Sequence, residues 1–207
     1  MEEAAVVLAF TARTCKLVLM SLTEWIAAAL GILNVVLIVR RSVWNYPVAL
    51  VMVTLYAWVF WGAKLYSDAG LQVFFFVANL AGWFLWNRAS GESGNVVVRR
   101  LPLIGLGACI AASLVTTMGW GQFMALNTDA SAPYWDASVA MLSVTGQFLM
   151  IGRYLENWYW WIAVNALSIS LYWTRALYPT VGLAILLLGL AIYGLIAWQN
   201  AERATTS

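Results

Sequence analysis

The chain contains no histidine and only two cysteines, and just 10% of its 207 residues are charged. Without imidazole there is no Ser/His nucleophile, and one of the usual proton-relay groups is missing. No pair of acids and no metal-ligating cluster stands out either, so an enzyme is disfavoured and no cofactor is expected. Cys15 and Cys109 lie in separate segments without metal-site spacing and imply no disulfide framework. The net charge of +2 is too small to point to a nucleic-acid partner. The lysines are Lys16 and Lys64, both outside the long apolar runs, which excludes a seven-helix retinal protein with its Schiff-base lysine.

What remains is apolar. Hydrophobic residues make up 63% of the chain and the mean hydropathy is +0.81. Soluble domains hold about 45–50% apolar and about 25% charged residues, so this is an integral membrane protein. Uncharged runs cover 25–39, 42–63, 69–87, 101–128, 137–152, 157–174 and 176–201. At about 1.5 Å rise per residue, roughly 20 residues cross the hydrocarbon core. Most runs are long enough, and the two short ones gain apolar flanks, giving seven transmembrane helices. Residues 1–23 differ: Glu2 and Glu3 lead, and Arg13 and Lys16 interrupt the apolar stretch. That order is wrong for a signal peptide and fits an amphipathic segment at the interface, the alternative being a poor eighth span. Arg40, Arg41, Arg88, Arg99, Arg100, Arg153 and Arg203 fall on one side, against Arg13, Lys16, Lys64 and Arg175 on the other. The richer side is expected in the cytoplasm, which puts the C-terminus inside and the N-terminus outside.

The chain is written twice. Arg40 precedes Trp44 by four residues and Arg153 precedes Trp158 by five; Asn34 and Gln147 each lie six before their arginine. Leu65-Tyr66 matches Leu177-Tyr178, and Gly82-x3-Trp86 matches Gly194-x3-Trp198, with offsets running from 112 to 114. Each copy holds three spans, 24–90 and 134–200, with one linker span at 99–126 between them. An odd number of helices per copy plus one linker sets both copies the same way up. The expected fold is therefore all-α, a parallel 3+1+3 repeat of the SWEET type, with a pathway between the bundles and a site near the midplane.

Polar residues inside the spans mark that site. On the sixth span Trp158, Trp161, Asn165, Ser168 and Tyr172 share one helix face. The third span carries Gln72, Asn79, Trp83 and Trp86, and the fifth carries Ser143 and Gln147. Trp44, Tyr46, Trp86, Trp158, Tyr159, Trp160 and Trp198 lie near span ends, where a membrane-interface belt is the ordinary reason for such residues. Asn34, taken alone, reads as helix–helix glue. The deep stripe of Trp161, Asn165 and Asn79 reads as a cavity wall suited to a flat ring joined to a sugar, with indoles for the ring and amides for the hydroxyls. No Asp, Glu, Lys or Arg falls within a span, which argues for facilitated diffusion rather than ion coupling.

These stretches resemble a known family. "RRSVWNYPVAL", "LYSDAGLQVFFFVANLAGWFLW", "DASVAMLSVTGQFLMIGRYLENWYWWIAVN" and "YGLIAWQ" are similar to the PnuC family of bacterial nicotinamide riboside transporters, from about Glu24 to Gln199. The most specific patterns are W-x-x-W-x-x-x-N at Trp158, Trp161 and Asn165, and N-x-x-G-W-x-x-W at Asn79, Gly82, Trp83 and Trp86. The resemblance implies seven inner-membrane spans, often a homotrimer, and transport without ion coupling, with a cytoplasmic kinase trapping the substrate. It maps the substrate residues to Gln147, Trp158, Trp161 and Asn165, with Asn79 and Trp83 opposite. Thiamine and riboflavin are alternative cargoes within the family, and a non-transporting receptor is the alternative of another class.

Overall fold

The computed structural model describes residues 22–62, 66–90, 96–128, 131–174 and 178–206. The proposed N-terminal amphipathic segment up to residue 21, and the residues Lys64, Leu65, Asp129, Arg175 and Leu177, lie outside them. Among the described residues there are seven helices: α1 Leu22–Val39, α2 Asn45–Gly62, α3 Tyr66–Ala89, α4 Leu103–Asn127, α5 Pro133–Ile151, α6 Asn157–Thr174 and α7 Tyr178–Thr206. Each runs within a few residues of a span read from the sequence, and α7 continues past it to a charged end with Glu202 and Arg203. Five of the seven are long and apolar enough to cross a membrane by composition alone. The two that fall short, α5 and α6, carry Ser143 and Gln147, and four tryptophans with Asn165. The polar cargo of these two helices is what lowers their hydropathy.

The same turn occurs twice, 112 positions apart. After α1, Arg41 N donates to the Ile38 carbonyl (2.8 Å) and Ser42 N to Leu37 (3.0 Å); after α5, Arg153 N donates to Met150 (2.9 Å) and Tyr154 N to Leu149 (3.0 Å). This pairing is the Schellman cap, which needs a left-handed residue at its centre. Arginine fills that place both times, at φ 57° for Arg41 and 61° for Arg153, at a steric cost of about 1–2 kcal/mol where glycine would be free. Each turn then starts the next helix in one way. Asn45 Nδ2 donates to the Ser42 carbonyl (2.7 Å) and Asn157 Nδ2 to Tyr154 (2.6 Å). The register therefore pairs Arg41, not Arg40, with Arg153, and Tyr46, not Trp44, with Trp158. Arginine and tryptophan recur one or two places away in the first copy, and identity alone matched the wrong ones.

Close helix approach follows the same register. A Cβ at Gly82 would fall inside the Tyr46 ring, and one at Gly194 inside the Trp158 ring. Glycine is required at both because the ring of one helix lies flat on the backbone of another. The last aromatic of each copy reaches across to the other. Trp86 Nε1 on α3 donates to the Ile151 carbonyl at the end of α5 (3.1 Å), and Trp198 Nε1 on α7 donates to the Ile38 carbonyl near the end of α1 (3.0 Å). Tyr46, Trp86, Trp198 and Trp158 form one chain of edge and tilted contacts, with ring centroids 5.2, 6.2 and 5.6 Å apart in that order. With Ile38, Met150 and Leu155 they build the hydrophobic core.

This corrects the interfacial reading of the aromatics. Of the seven residues assigned to a membrane belt, Tyr46, Trp86, Trp158, Trp160 and Trp198 are buried, while Trp44 and Tyr159 are exposed. Position along a span says nothing about which way a ring points around it, and here the repeated turns aim them inward. Trp160 does a different job. Its Nε1 donates to Ser113 Oγ on α4 (3.0 Å), and that hydroxyl lies 3.0 Å from Thr145 Oγ1 on α5. These bonds fix α4, whose outer face is otherwise exposed from Leu103 to Leu126.

A strap joins the two turns. Val96 N meets the Arg41 carbonyl (3.3 Å), Arg99 N donates to the Arg153 carbonyl (2.9 Å), and Leu155 N donates to the Arg99 carbonyl (2.9 Å). The buried Glu156 carboxylate accepts from Leu101 N (2.9 Å), and Arg100 lies between it (3.8 Å) and Glu202 (2.6 Å). The hydrogen bond to Glu202 raises the Arg100 pKa further. Burial, and after it the charge of Arg99, lowers that of Arg153.

Candidate functional site

A cavity of about 320 Å³ lies among α1, α2, α3, α5, α6 and α7. α4 contributes no wall. At one end the cavity meets the aromatic core, where Ile38, Met150, Trp158 and Ala191 belong both to its lining and to the cluster. Beyond that cluster lie the two arginine turns and the strap. Among the described residues, the lining holds no Asp, Glu, Lys or Arg. Its polar atoms come from amides, one serine, one tyrosine and the two indoles.

Five of the six expected site residues meet here: Asn79, Gln147, Trp158, Trp161 and Asn165. Helix α6 presents three of them because positions 158, 161 and 165 fall on one face. Trp158 is fully buried and Trp161 is half-buried against the core. Asn165 Nδ2 donates to the Trp161 carbonyl one turn back (2.7 Å), which fixes the amide and leaves its oxygen unused by that bond. Asn79 does the same on α3, donating to Phe75 (2.8 Å), and its Oδ1 accepts from Gln147 Nε2 (3.3 Å). That last bond links the first copy to the second across the cavity. Trp83, the sixth residue, is not part of the wall; it lies one helical turn beyond Asn79 on α3 and is 36% exposed.

Of the other striped positions, Gln72 and Ser143 line the cavity, and Ser168, Tyr172 and Trp86 do not. The sequence reading missed two contributors. Asn34 on α1, read there as glue, is in the wall, and so is Tyr56 on α2. Asn34 precedes its turn by the same distance as Gln147 precedes Arg153, within a residue, and that shared place was the available signal. Tyr56 had none, since no polar residue of α2 lies three, four or seven places from it.

The chemistry such a wall can do is binding without ionisation. Indole faces attract a flat aromatic cation, worth about 2 kcal/mol when water is excluded. Amides donate and accept to hydroxyls. Nothing in the wall titrates near neutral pH.

The comparisons with known proteins agree with this architecture. The nicotinamide mononucleotide transporter family matches residues 21–200, from the start of α1 well into α7. The nicotinamide riboside transporter PnuC of Escherichia coli (strain K12) is 28% identical over 209 residues, covering 89% of this chain and 87% of the relative. The riboflavin/roseoflavin transporter RibM of Streptomyces davaonensis is 27% identical over 185 residues, covering 87% of this chain and 86% of the relative. The crystal structure of the vitamin B3 transporter PnuC superposes with a TM-score of 0.75 at 29% identity, over 89% of this chain and 83% of that one. An all-helical chain whose uncharged cavity lies inside a match of that extent belongs to the nicotinamide mononucleotide transporter family of multi-pass membrane proteins, the PnuC-type transporters of vitamins.

Proposed function

We propose that this chain carries nicotinamide riboside across the bacterial inner membrane by facilitated diffusion. The observation that carries this reading is the gathering of Trp161, Trp158, Asn165, Asn79 and Gln147 from both copies around one uncharged cavity. The pyridinium ring stacks on Trp161 with Trp158 beside it, and the ribose hydroxyls exchange hydrogen bonds with Asn165, Gln147 and Asn79. Trp83 acts at most from outside that wall. In this reading the units 24–90 and 134–200 form the two sides of the pathway, the helix within 99–126 joins them in a 3+1+3 plan, and the arginine turns face the cytoplasm, with the N-terminus outside.

The family takes its name from the mononucleotide, yet the cavity favours the riboside. A phosphate carries a charge near −2 at pH 7, and stripping it of water costs several kcal/mol unless cations or many donors replace that water. Among the described residues, no arginine or lysine lines the cavity. Cytoplasmic phosphorylation by a nicotinamide riboside kinase then makes uptake one-way with no energy input to the transporter. Riboflavin is the second reading, suggested by the RibM relative. The cavity, at about 320 Å³, sits near the lower end of the roughly 300–1,000 Å³ range of ligand pockets, which suits the smaller cargo.

Counterflow in proteoliposomes tests the proposal. Vesicles loaded with unlabelled nicotinamide riboside should take up labelled riboside, and outside competitors should rank riboside first, ahead of thiamine and riboflavin. A protein that binds the riboside but exchanges no label is a receptor, and a higher rank for riboflavin reassigns the cargo.

A further inference from the structure

Buried polar atoms that find no partner are few among the described residues, and they are not scattered. They are Asn34 Oδ1, Asn45 Oδ1, Tyr46 OH, Asn157 Oδ1 and Trp158 Nε1. Asn45 and Asn157 belong to the two turns and Tyr46 to the core. Only Asn34 and Trp158 border the cavity. One is an acceptor on α1 and the other a donor on α6, so each copy supplies one. Leaving such a group buried and unpaired is unfavourable, and helix glue would have satisfied it across a helix pair. At Asn34 that expectation fails: the oxygen is buried with no hydrogen-bond partner, and its residue lines the cavity.

We infer that Asn34 is a substrate-contacting, specificity-determining residue, its side-chain oxygen accepting a hydrogen bond from an uncharged O–H or N–H donor of the cargo. This rests on the reading of the cavity as the transport site and adds α1 to the helices that recognise the cargo. The chemistry follows from the lining. With no charged residue in the described lining, the acceptor selects a hydroxyl or carboxamide hydrogen, and it disfavours an analogue that presents a methyl group or a bare C–H at the same place. Rejection of that kind is strong because the acceptor then stays buried and unpaired.

The test uses the full-length protein in detergent. Calorimetric titration is run on wild type, Asn34→Leu and Asn34→Ala, and thermal unfolding is measured on each without ligand. The titrants are nicotinamide riboside, its 2′-, 3′- and 5′-deoxy forms, and 3-acetylpyridine riboside, in which the amide NH2 is replaced by methyl. Both variants should bind the riboside at least tenfold more weakly. At least one of them should unfold at or above the wild-type temperature, since the group removed had no partner. One analogue should bind wild type at least tenfold more weakly than the riboside does, while the variants no longer distinguish the two; that analogue names the donor. Variants that match wild type in affinity but unfold earlier would make Asn34 structural and overturn the inference. A uniform loss on every titrant, with no analogue singled out, would also overturn it, because Asn34 would then shape the wall without accepting a bond. Thiamine and riboflavin are titrated alongside. If wild type binds one of these instead of the riboside, the cargo assignment fails alone and the same variant comparison is made on that ligand. If it binds none of them, both the cavity reading and the role of Asn34 fall.

Discussion

Trp161 is the residue on which the binding account leans most. It faces the cavity, half-buried against the core, with Asn165 holding its carbonyl one turn on. A stacked cation loses its partner when the indole goes, so Trp161→Ala should weaken nicotinamide riboside binding by about 1–3 kcal/mol. Calorimetric titration reads this directly, and an unchanged affinity would mean that Trp161 only packs. At this scale the sequence was informative where residues kept helical company. The run Trp158, Trp161, Asn165 lies on one face, and two amides of opposite copies, Asn79 and Gln147, meet at 3.3 Å. It misled at Trp83, which lies one turn beyond Asn79 on α3 yet outside the cavity lining. Asn34 was passed over for the converse reason: its place before the turn, shared with Gln147, was the one pointer, and no polar residue within two turns of it on α1 marks its face.

Among elements, the repeated turns decide the architecture. Each caps a helix with a left-handed arginine, starts the next with an asparagine, and delivers an aromatic ring onto a glycine of the third helix. The span boundaries were legible because charge and turn residues end uncharged runs. The inward rings were not. Hydropathy patterns record depth in the membrane, while the direction of Trp86 and Trp198 is set by hydrogen bonds to carbonyls 65 and 160 residues away. This gives a contrast between two tryptophans that the sequence alone ranks as equals. Trp198 is fully buried and bonds α7 to α1, whereas Trp44 is 71% exposed. Trp198→Ala should cost about 3–5 kcal/mol of stability, as large-to-small core changes do. Trp44→Ala should stay within about 0.5 kcal/mol. Thermal unfolding of the two variants in the same detergent makes the comparison, and equal midpoints would contradict the buried cluster.

For the whole molecule, the central property is a cavity whose described lining carries no charge, set among α1, α2, α3, α5, α6 and α7 and bounded by an aromatic cluster at one end. Among the described residues the only ionisable side chain in the lining is Tyr56, and a phenol has an ordinary pKa of about 10, far from neutrality. Imposed proton or sodium gradients should therefore not concentrate the riboside in vesicles when the membrane potential is clamped at zero, and affinity should be flat between about pH 6 and pH 8. Accumulation above the outside concentration under either gradient would require a coupling group that the wall does not hold. The most direct measurement of the central claim compares trans-loading by two ligands that differ by one phosphate. Vesicles carrying the protein are filled with unlabelled nicotinamide riboside or with unlabelled nicotinamide mononucleotide, and entry of labelled riboside is followed. The uncharged cavity predicts fast exchange with the riboside inside and none above background with the mononucleotide; comparable exchange from both would contradict it.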